Sequence, residues 1–211
     1  MIERYTLPEM GRVWSEARKY ELWGRVELLV LEAHARAGTV PAGSVQAVRS
    51  AKIPTPEAVA AVEAVTDHDV IAFLTAWADN TEPRAAAAWV HYGMTSSDLL
   101  DTALAVQLTE ASDLLTAKAT RLVAVLRDHA LAHRDTLRPG RTHGVHAEPD
   151  TWGHRVADFA FAMDRDDIQI SFPARAAAST NHRARTIEAG TNPIQVAASG
   201  SGKALILANA A

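Results

Sequence analysis

Cysteine is absent from this chain. That rules out disulfides and thiolate metal sites, and it suits a reducing compartment. No basic run dominates: 21 Lys and Arg stand against 25 Asp and Glu, a net charge of −4, which argues against nucleic-acid binding through a broad basic face. No apolar stretch is long enough to span a bilayer, and Met1-Ile2-Glu3-Arg4-Tyr5 lacks the basic-then-apolar pattern of a signal peptide. A soluble, cytoplasmic protein is expected, without a membrane or nucleic-acid partner. Period-two alternation is missing as well: up to about residue 166 no run reads convincingly as a strand.

What is present is helical patterning. The 211 residues are 48% hydrophobic and 22% charged, enough for one large domain or two small ones. After a polar lead from Met1 to Pro8, a helix is expected from about Glu9. Along it Trp14, Leu22, Val26, Leu29 and Val30 recur at three- and four-residue steps, until Gly38, Pro41 and Gly43 end it. The connector from Ser44 to Pro56 holds one short helical turn. Helix resumes at Glu57, and Thr66 or Asp67 can cap a further helix through Val70, Ile71, Phe73, Leu74 and Trp77. His68 then sits near a helix N-terminus, where the dipole disfavours imidazolium and suits a neutral, hydrogen-bonding ring. Asn80 to Arg84 breaks that helix, and Ala85 to Trp89 is a short helical piece.

The longest periodic segment runs from Leu99 to about His133. Leu104, Leu108, Ala111, Leu115, Ala119, Leu122 and Leu126 form one face of a long bundle helix, and the exposed leucines among them call for partners. His129 and His133 are four apart, but no Glu completes a His-Glu-x-x-His motif and no further ligand is evident, so no metal site is expected. Thr151 to about Asp166 is helical again, with Trp152, Val156, Phe159, Ala160 and Met163 on one side. Ser171-Phe172-Pro173 interrupts it, and bulky apolar residues then thin out. Gly202-Lys203 fails as a phosphate-binding loop, because Ala197 stands where the first Gly belongs, Ala204 follows the Lys, and no strand precedes. The tail reads as weakly packed.

Three polar stretches lie at the ends of these helices: Asp67-His68-Asp69, then His91 with Thr95-Ser96-Ser97-Asp98, and Gly140-Arg141-Thr142-His143-Gly144-Val145-His146-Ala147-Glu148-Pro149. The last is punctuated by Pro139, Gly140, Gly144 and Pro149, so it presents its side chains on a shaped loop. The hydroxyl run before Asp98 reads first as a helix cap, and a helix N-terminus of this kind can also cradle a carboxylate or phosphate. Together these stretches offer imidazoles, hydroxyls and an arginine, an inventory for proton transfer on an anionic substrate.

In this order the pieces resemble the N-terminal half of the adenylosuccinate lyase family, within the fumarase/aspartase superfamily. Arg4-Tyr5-Thr6, His68 to Phe73, His91 to Asp98 continuing to Asp101-Thr102-Ala103, and Gly140 to Pro149 carry the resemblance over about the first 165 residues. It implies a mainly α fold: an N-terminal helical domain over 1–98, the truncated start of a long central helix bundle over 99–166, and a divergent tail over 167–211. The implied reaction is β-elimination of fumarate, without metal or organic cofactor, from adenylosuccinate to give AMP and from the succinylated carboxamide intermediate of purine synthesis. His143 matches the general acid and His68 the histidine that assists it. Thr95 and Ser96 match substrate-holding residues, and Arg4 and Tyr5 the nucleotide-binding pair. Asp67, Asp69, His91 and Thr142 fall in the same substrate-contacting segments. Homotetramers with sites drawn from three subunits are implied too.

Departures from the family pattern shape the expectation. The family's catalytic serine lies in a Ser-Ser-x-Met-Pro-x-Lys-x-Asn-Pro type loop, and this chain has no such sequence. Asp150 stands where Thr is more usual, and Gly24 interrupts a helix where a bulky residue is commoner. Little lyase activity is expected of the chain alone. Two alternatives stay open: another lyase of the superfamily, acting on a different succinyl or carboxymuconate-type substrate, and a non-catalytic helical protein that associates with a full-length paralogue.

Overall fold

The computed structural model describes residues 2–179, 184–187, 194–198 and 204–208, with side-chain surroundings for residue 2 and for 4–165. The architecture is mainly α, as the periodicity requires. A 3-10 turn, Glu3–Tyr5, leads into α1 (Pro8–Val13) and α2 (Glu16–Arg36). The single helix expected from about Glu9 is thus two. The break falls at Ser15, whose hydroxyl accepts the Arg18 N–H at 3.1 Å. A serine oxygen that takes a free amide at a helix start offers the backbone an alternative to continuous helix, and apolar spacing alone does not register it.

Next come α3 (Ala42–Ser50), α4 (Pro56–Thr66) and α5 (Asp69–Asp79). A second 3-10 turn, Arg84–Trp89, precedes the long α6 (Ser96–Ala132). The start of α4 combines Thr55, which accepts the Ala58 N–H at 3.3 Å, with Pro56 in the first turn, where its missing N–H costs nothing.

The stretch from Leu137 to Thr151 corrects the reading that no strand precedes residue 166. It is an antiparallel hairpin of β1 (Leu137–Thr142) and β2 (Val145–Thr151). Thr142 faces Val145, so the loop is the two residues His143 and Gly144, with φ of 51° and 79°. Two successive positive φ values make the type I′ turn, whose twist matches that of paired strands. The register shifts between Pro139 and Arg141, where the single Gly140 stands opposite Ala147 and Glu148, so the extra residue of the bulge belongs to β2. No residue of the two strands is buried, and most are exposed. With no buried face there is nothing to imprint an apolar-polar alternation on the sequence.

Helix α7 (Trp152–Ser179) follows, and its backbone stays helical through Pro173, where sequence reading ended it. A proline removes one bond to the carbonyl four residues back, and the backbone on either side keeps helical dihedrals. Beyond it β3 (Ala184–Ile187), β4 (Ile194–Ala198) and β5 (Ala204–Ala208) pair antiparallel in that order. The stretches Gly190 to Pro193 and Ser199 to Lys203 lie outside the described residues.

The chain forms two compact units, Met1–Leu108 with Ala178–Ala211, and Thr109–Ala177. In the first, an aromatic cluster of Tyr20, Trp23, Phe73 and Trp77 sits at the centre, with successive ring centroids 5.4 to 5.7 Å apart. Leu22, Leu31, Val48, Val59, Val70 and Leu99 pack around it with almost no exposure. Gly24 belongs to this packing: a Cβ there would lie 2.3 Å from Ile53 Cδ1. Helix α2 runs straight through Gly24, which lets the segment before α4 come close. In the second unit Ala111, Ala119 and Val156 are buried, whereas Leu115 and Leu122 remain 44% exposed.

Candidate active site

The Asp67-His68-Asp69 segment joins α4 to α5. Thr66 ends α4 with its hydroxyl bonded back to the Val62 carbonyl at 3.2 Å, and Asp67 takes a left-handed conformation with φ of 50°. Neither caps α5, as the sequence suggested. The cap is His68 itself, whose Nδ1 accepts the Ile71 N–H at 3.4 Å. A ring nitrogen that accepts must be unprotonated, so this contact places the proton on Nε2. The hydrogen bond expected of an imidazole at this helix N-terminus is present in the geometry. Asp69 turns its Oδ1 to the Val70 N–H at 2.7 Å.

The second segment precedes α6. The Thr95 N–H donates to Asp98 Oδ2 at 2.9 Å, the reciprocal half of a capping box. The capping reading of Thr95-Ser96-Ser97-Asp98 is realised. Among the described residues the Thr95 and Ser96 hydroxyls have no partner.

His91 is held differently. It lies at φ 65°, its N–H donates to Glu27 Oε2 at 2.8 Å, and its Nδ1 meets Glu27 Oε1 at 2.5 Å. Glu27 is buried to 1% exposure. The bond to Glu27 raises the His91 pKa against the effect of burial, and the charges of Glu27 and Asp98 act in the same direction. Sequence reading missed Glu27. The available signal was its position at a four-residue step between Trp23 and Leu31, on a stripe that is otherwise apolar.

In the second unit, Thr142 and His143 occupy the tip of the β1–β2 hairpin. His143 is exposed, and its ring has no partner among the described residues. Its positive φ is fixed by the I′ turn and by Gly144 beside it. Arg141 Nη2 donates to His146 Nε2 at 3.2 Å on the same hairpin. Asp150, the departure from the family pattern, accepts the Thr151 N–H at 2.7 Å and the His154 Nδ1 at 2.8 Å, with Arg138 at 3.8 Å. The bond from His154 holds the Asp150 carboxyl below its usual range, and the same bond raises His154.

Arg4 and Tyr5 form the leading 3-10 turn, with the guanidinium carbon 4.8 Å from the exposed phenol ring's centroid. Arg4, Tyr5, Asp67, His68, Asp69, His91, Thr95 and Ser96 therefore belong to the first unit, and Thr142 and His143 to the second. Among the described residues no hydrogen bond or ion pair links the Arg4-Tyr5 turn, the Asp67–Asp69 segment and the His91–Asp98 segment to one another. Nor does any group of three or more His, Cys, Asp or Glu side chains among them form a metal cluster. His129 accepts the Trp152 Nε1–H at 3.2 Å, which gives it a structural partner. No helix among the described residues is long and apolar enough to cross a membrane.

Residues 52–192 match a family model described as Lyase. An adenylosuccinate lyase of Synechocystis sp. is 45% identical over 157 residues, which cover 74% of this chain and 36% of the relative. One from Bacillus subtilis is 39% identical over 166 residues, covering 79% and 38%. The 3-carboxy-cis,cis-muconate lactonizing enzyme from Pseudomonas putida superposes with a TM-score of 0.74 at 31% identity, covering 80% of this chain and 40% of that one. The chain spans well under half the length of the relatives it matches. Its helices, its polar segments and the family match over most of its length agree that it belongs to the lyase family, with adenylosuccinate lyases among its relatives.

Proposed function

We propose that this chain carries the proton-donating side of an adenylosuccinate lyase site. The observation that carries the reading is the 39% and 45% identity to adenylosuccinate lyases over some three quarters of its length. The reaction removes a proton from the carbon next to a carboxylate. The electron pair left behind expels the adjacent nitrogen, and the C–N bond breaks to give fumarate and a purine nucleotide or its carboxamide precursor. The departing nitrogen needs a proton at that moment, and His143 supplies it. An exposed imidazole on a turn that fixes its backbone suits the task, because a ring nitrogen can carry and release a proton and the ring is open to a ligand. His68, with Nδ1 occupied by the Ile71 amide, offers Nε2–H as a donor in support.

The free hydroxyls of Thr95, Ser96 and Thr142 suit a substrate carboxylate, whose charge grows in the transition state and is stabilised by fixed donors. Arg4 suits phosphate, with Tyr5 beside it, and Asp67, Asp69 and His91 complete the substrate contacts. Catalysis needs no cofactor in this scheme. The half-exposed Leu104, Leu108, Leu115 and Leu122 support assembly through α6 into a homotetramer, and the setting is the cytoplasm.

The chain contains no match to the family's serine loop, so elimination by these residues alone is expected to stay at background. The test follows the absorbance change of adenylosuccinate cleavage by the purified chain, with its helicity verified by circular dichroism and His143→Ala run alongside. Fast fumarate release that His143→Ala abolishes would place a base within these residues and overturn the division of the site.

A further inference from the structure

A carboxylate in a protein core is costly unless each oxygen is paired. Glu27 sits in the middle of α2, its side chain fully buried, and it spends both oxygens on one residue 64 positions away. Oε2 takes the His91 main-chain N–H and Oε1 takes the ring at Nδ1. The first bond holds a backbone that is unfavourable for a residue with a Cβ: His91 lies at φ 65°. The second bond sets the chemistry of the ring. A carboxylate can only accept, so Nδ1 carries a proton and Nε2 is the ring nitrogen left for a ligand. This is the opposite tautomer from His68, whose Nδ1 accepts an amide.

A plain structural staple would need only the main-chain bond. The second bond, at 2.5 Å to a ring that is 19% exposed, goes further. We infer that Glu27 is a positioning residue for His91: it locks the loop between the second 3-10 turn and α6 and fixes the Nδ1–H form, so that Nε2 is presented to the substrate. This rests on the reading above that His91 contacts substrate. Two anionic groups bear on the ring, Glu27 from α2 and Asp98 from α6, and Glu27 alone is bonded to it.

The test is long-range proton–nitrogen NMR of the imidazoles in the full 211-residue chain, with His91→Gln to assign the resonance. The wild-type His91 ring should show Nδ1 protonated and a titration midpoint above the ordinary imidazole range. Glu27→Gln keeps the shape of the side chain and removes its charge. It should lower the midpoint and let the Nε2–H tautomer appear, with His68 unaffected. An Nε2–H tautomer in the wild-type chain would overturn the inference, and this measurement holds whether or not Glu27→Gln folds. An unchanged midpoint and tautomer ratio in folded Glu27→Gln would overturn it too. A failure of the lyase reading would leave the NMR pattern intact and show itself as missing fumarate release from a folded chimera of this chain with the remainder of the Bacillus subtilis relative, so the two are separable.

Discussion

Replacing Gly24 by Ala sets two known effects against each other. In an exposed helix interior, Gly→Ala gains up to about 1 kcal/mol. Here the new methyl would stand 2.3 Å from Ile53 Cδ1, far inside van der Waals contact, and 3.7 Å from the Trp77 ring. Overpacking of this kind costs about 1–3 kcal/mol. The sum is a net loss of about 0–2 kcal/mol, the low end applying if Ile53, which is only partly buried, rotates away. Ile53→Val removes the clashing atom itself and costs about 0.5–1.5 kcal/mol alone. With Val at 53, the nearest remaining contacts are ordinary, and Gly24→Ala should be neutral or stabilising. A double-mutant cycle read by urea unfolding with far-UV circular dichroism should therefore show a coupling of about 1–3 kcal/mol. Stabilisation by Gly24→Ala alone of about 1 kcal/mol, or additivity within about 0.5 kcal/mol, would refute the packing argument.

Gly144→Ala places a Cβ at φ 79° where nothing lies within 4 Å, so its whole cost is backbone strain of about 1–2 kcal/mol. Amide exchange in β1 and β2 should quicken by roughly 5–30-fold, and unchanged exchange would contradict the I′ turn. The Asp150–His154 pair has a pH window. Asp150 is depressed from 3.8, so its contribution is present above that value and is lost as pH falls through its folded pKa. His154 is raised from 6.5, so its contribution is present below that value and is lost as pH rises through its folded pKa. The stability difference between wild type and Asp150→Asn should be largest between those values and shrink on both sides. A flat difference across pH would show that the pair does not form.

Sequence reading recovered the long helices, because each buries one face and the burial leaves a three- and four-residue stripe. α6 shows this in Ala111 and Ala119, buried between the half-exposed Leu108, Leu115 and Leu122. The polar segments before α5 and α6 were legible because they lie at helix starts, where free amides demand partners, and the third, on the hairpin, through its Pro and Gly punctuation. What was hidden depended on partners distant in sequence or on the absence of burial. Glu27 stands on the apolar stripe of Trp23 and Leu31, but its partner His91 is 64 residues away and becomes visible only in the fold. The hairpin has no buried face, and His143-Gly144 is a less familiar I′ pair than Asn-Gly. The split at Ser15 and the cap at His68 turn on single hydrogen bonds. Gly24 looked like a defect because Ile53, which accounts for it, lies beyond α3.

The claim at the centre of the account is that His143 donates the proton to the departing nitrogen. It is tested most directly in a chimera that joins residues 1–165 of this chain to the remainder of the Bacillus subtilis relative, assayed for fumarate release from adenylosuccinate. The account predicts an active, helical assembly whose rate falls by about 10²–10⁴-fold on His143→Ala, the usual range for a general acid. A folded, assembled chimera that is inactive, or one whose rate is unchanged by His143→Ala, would contradict it.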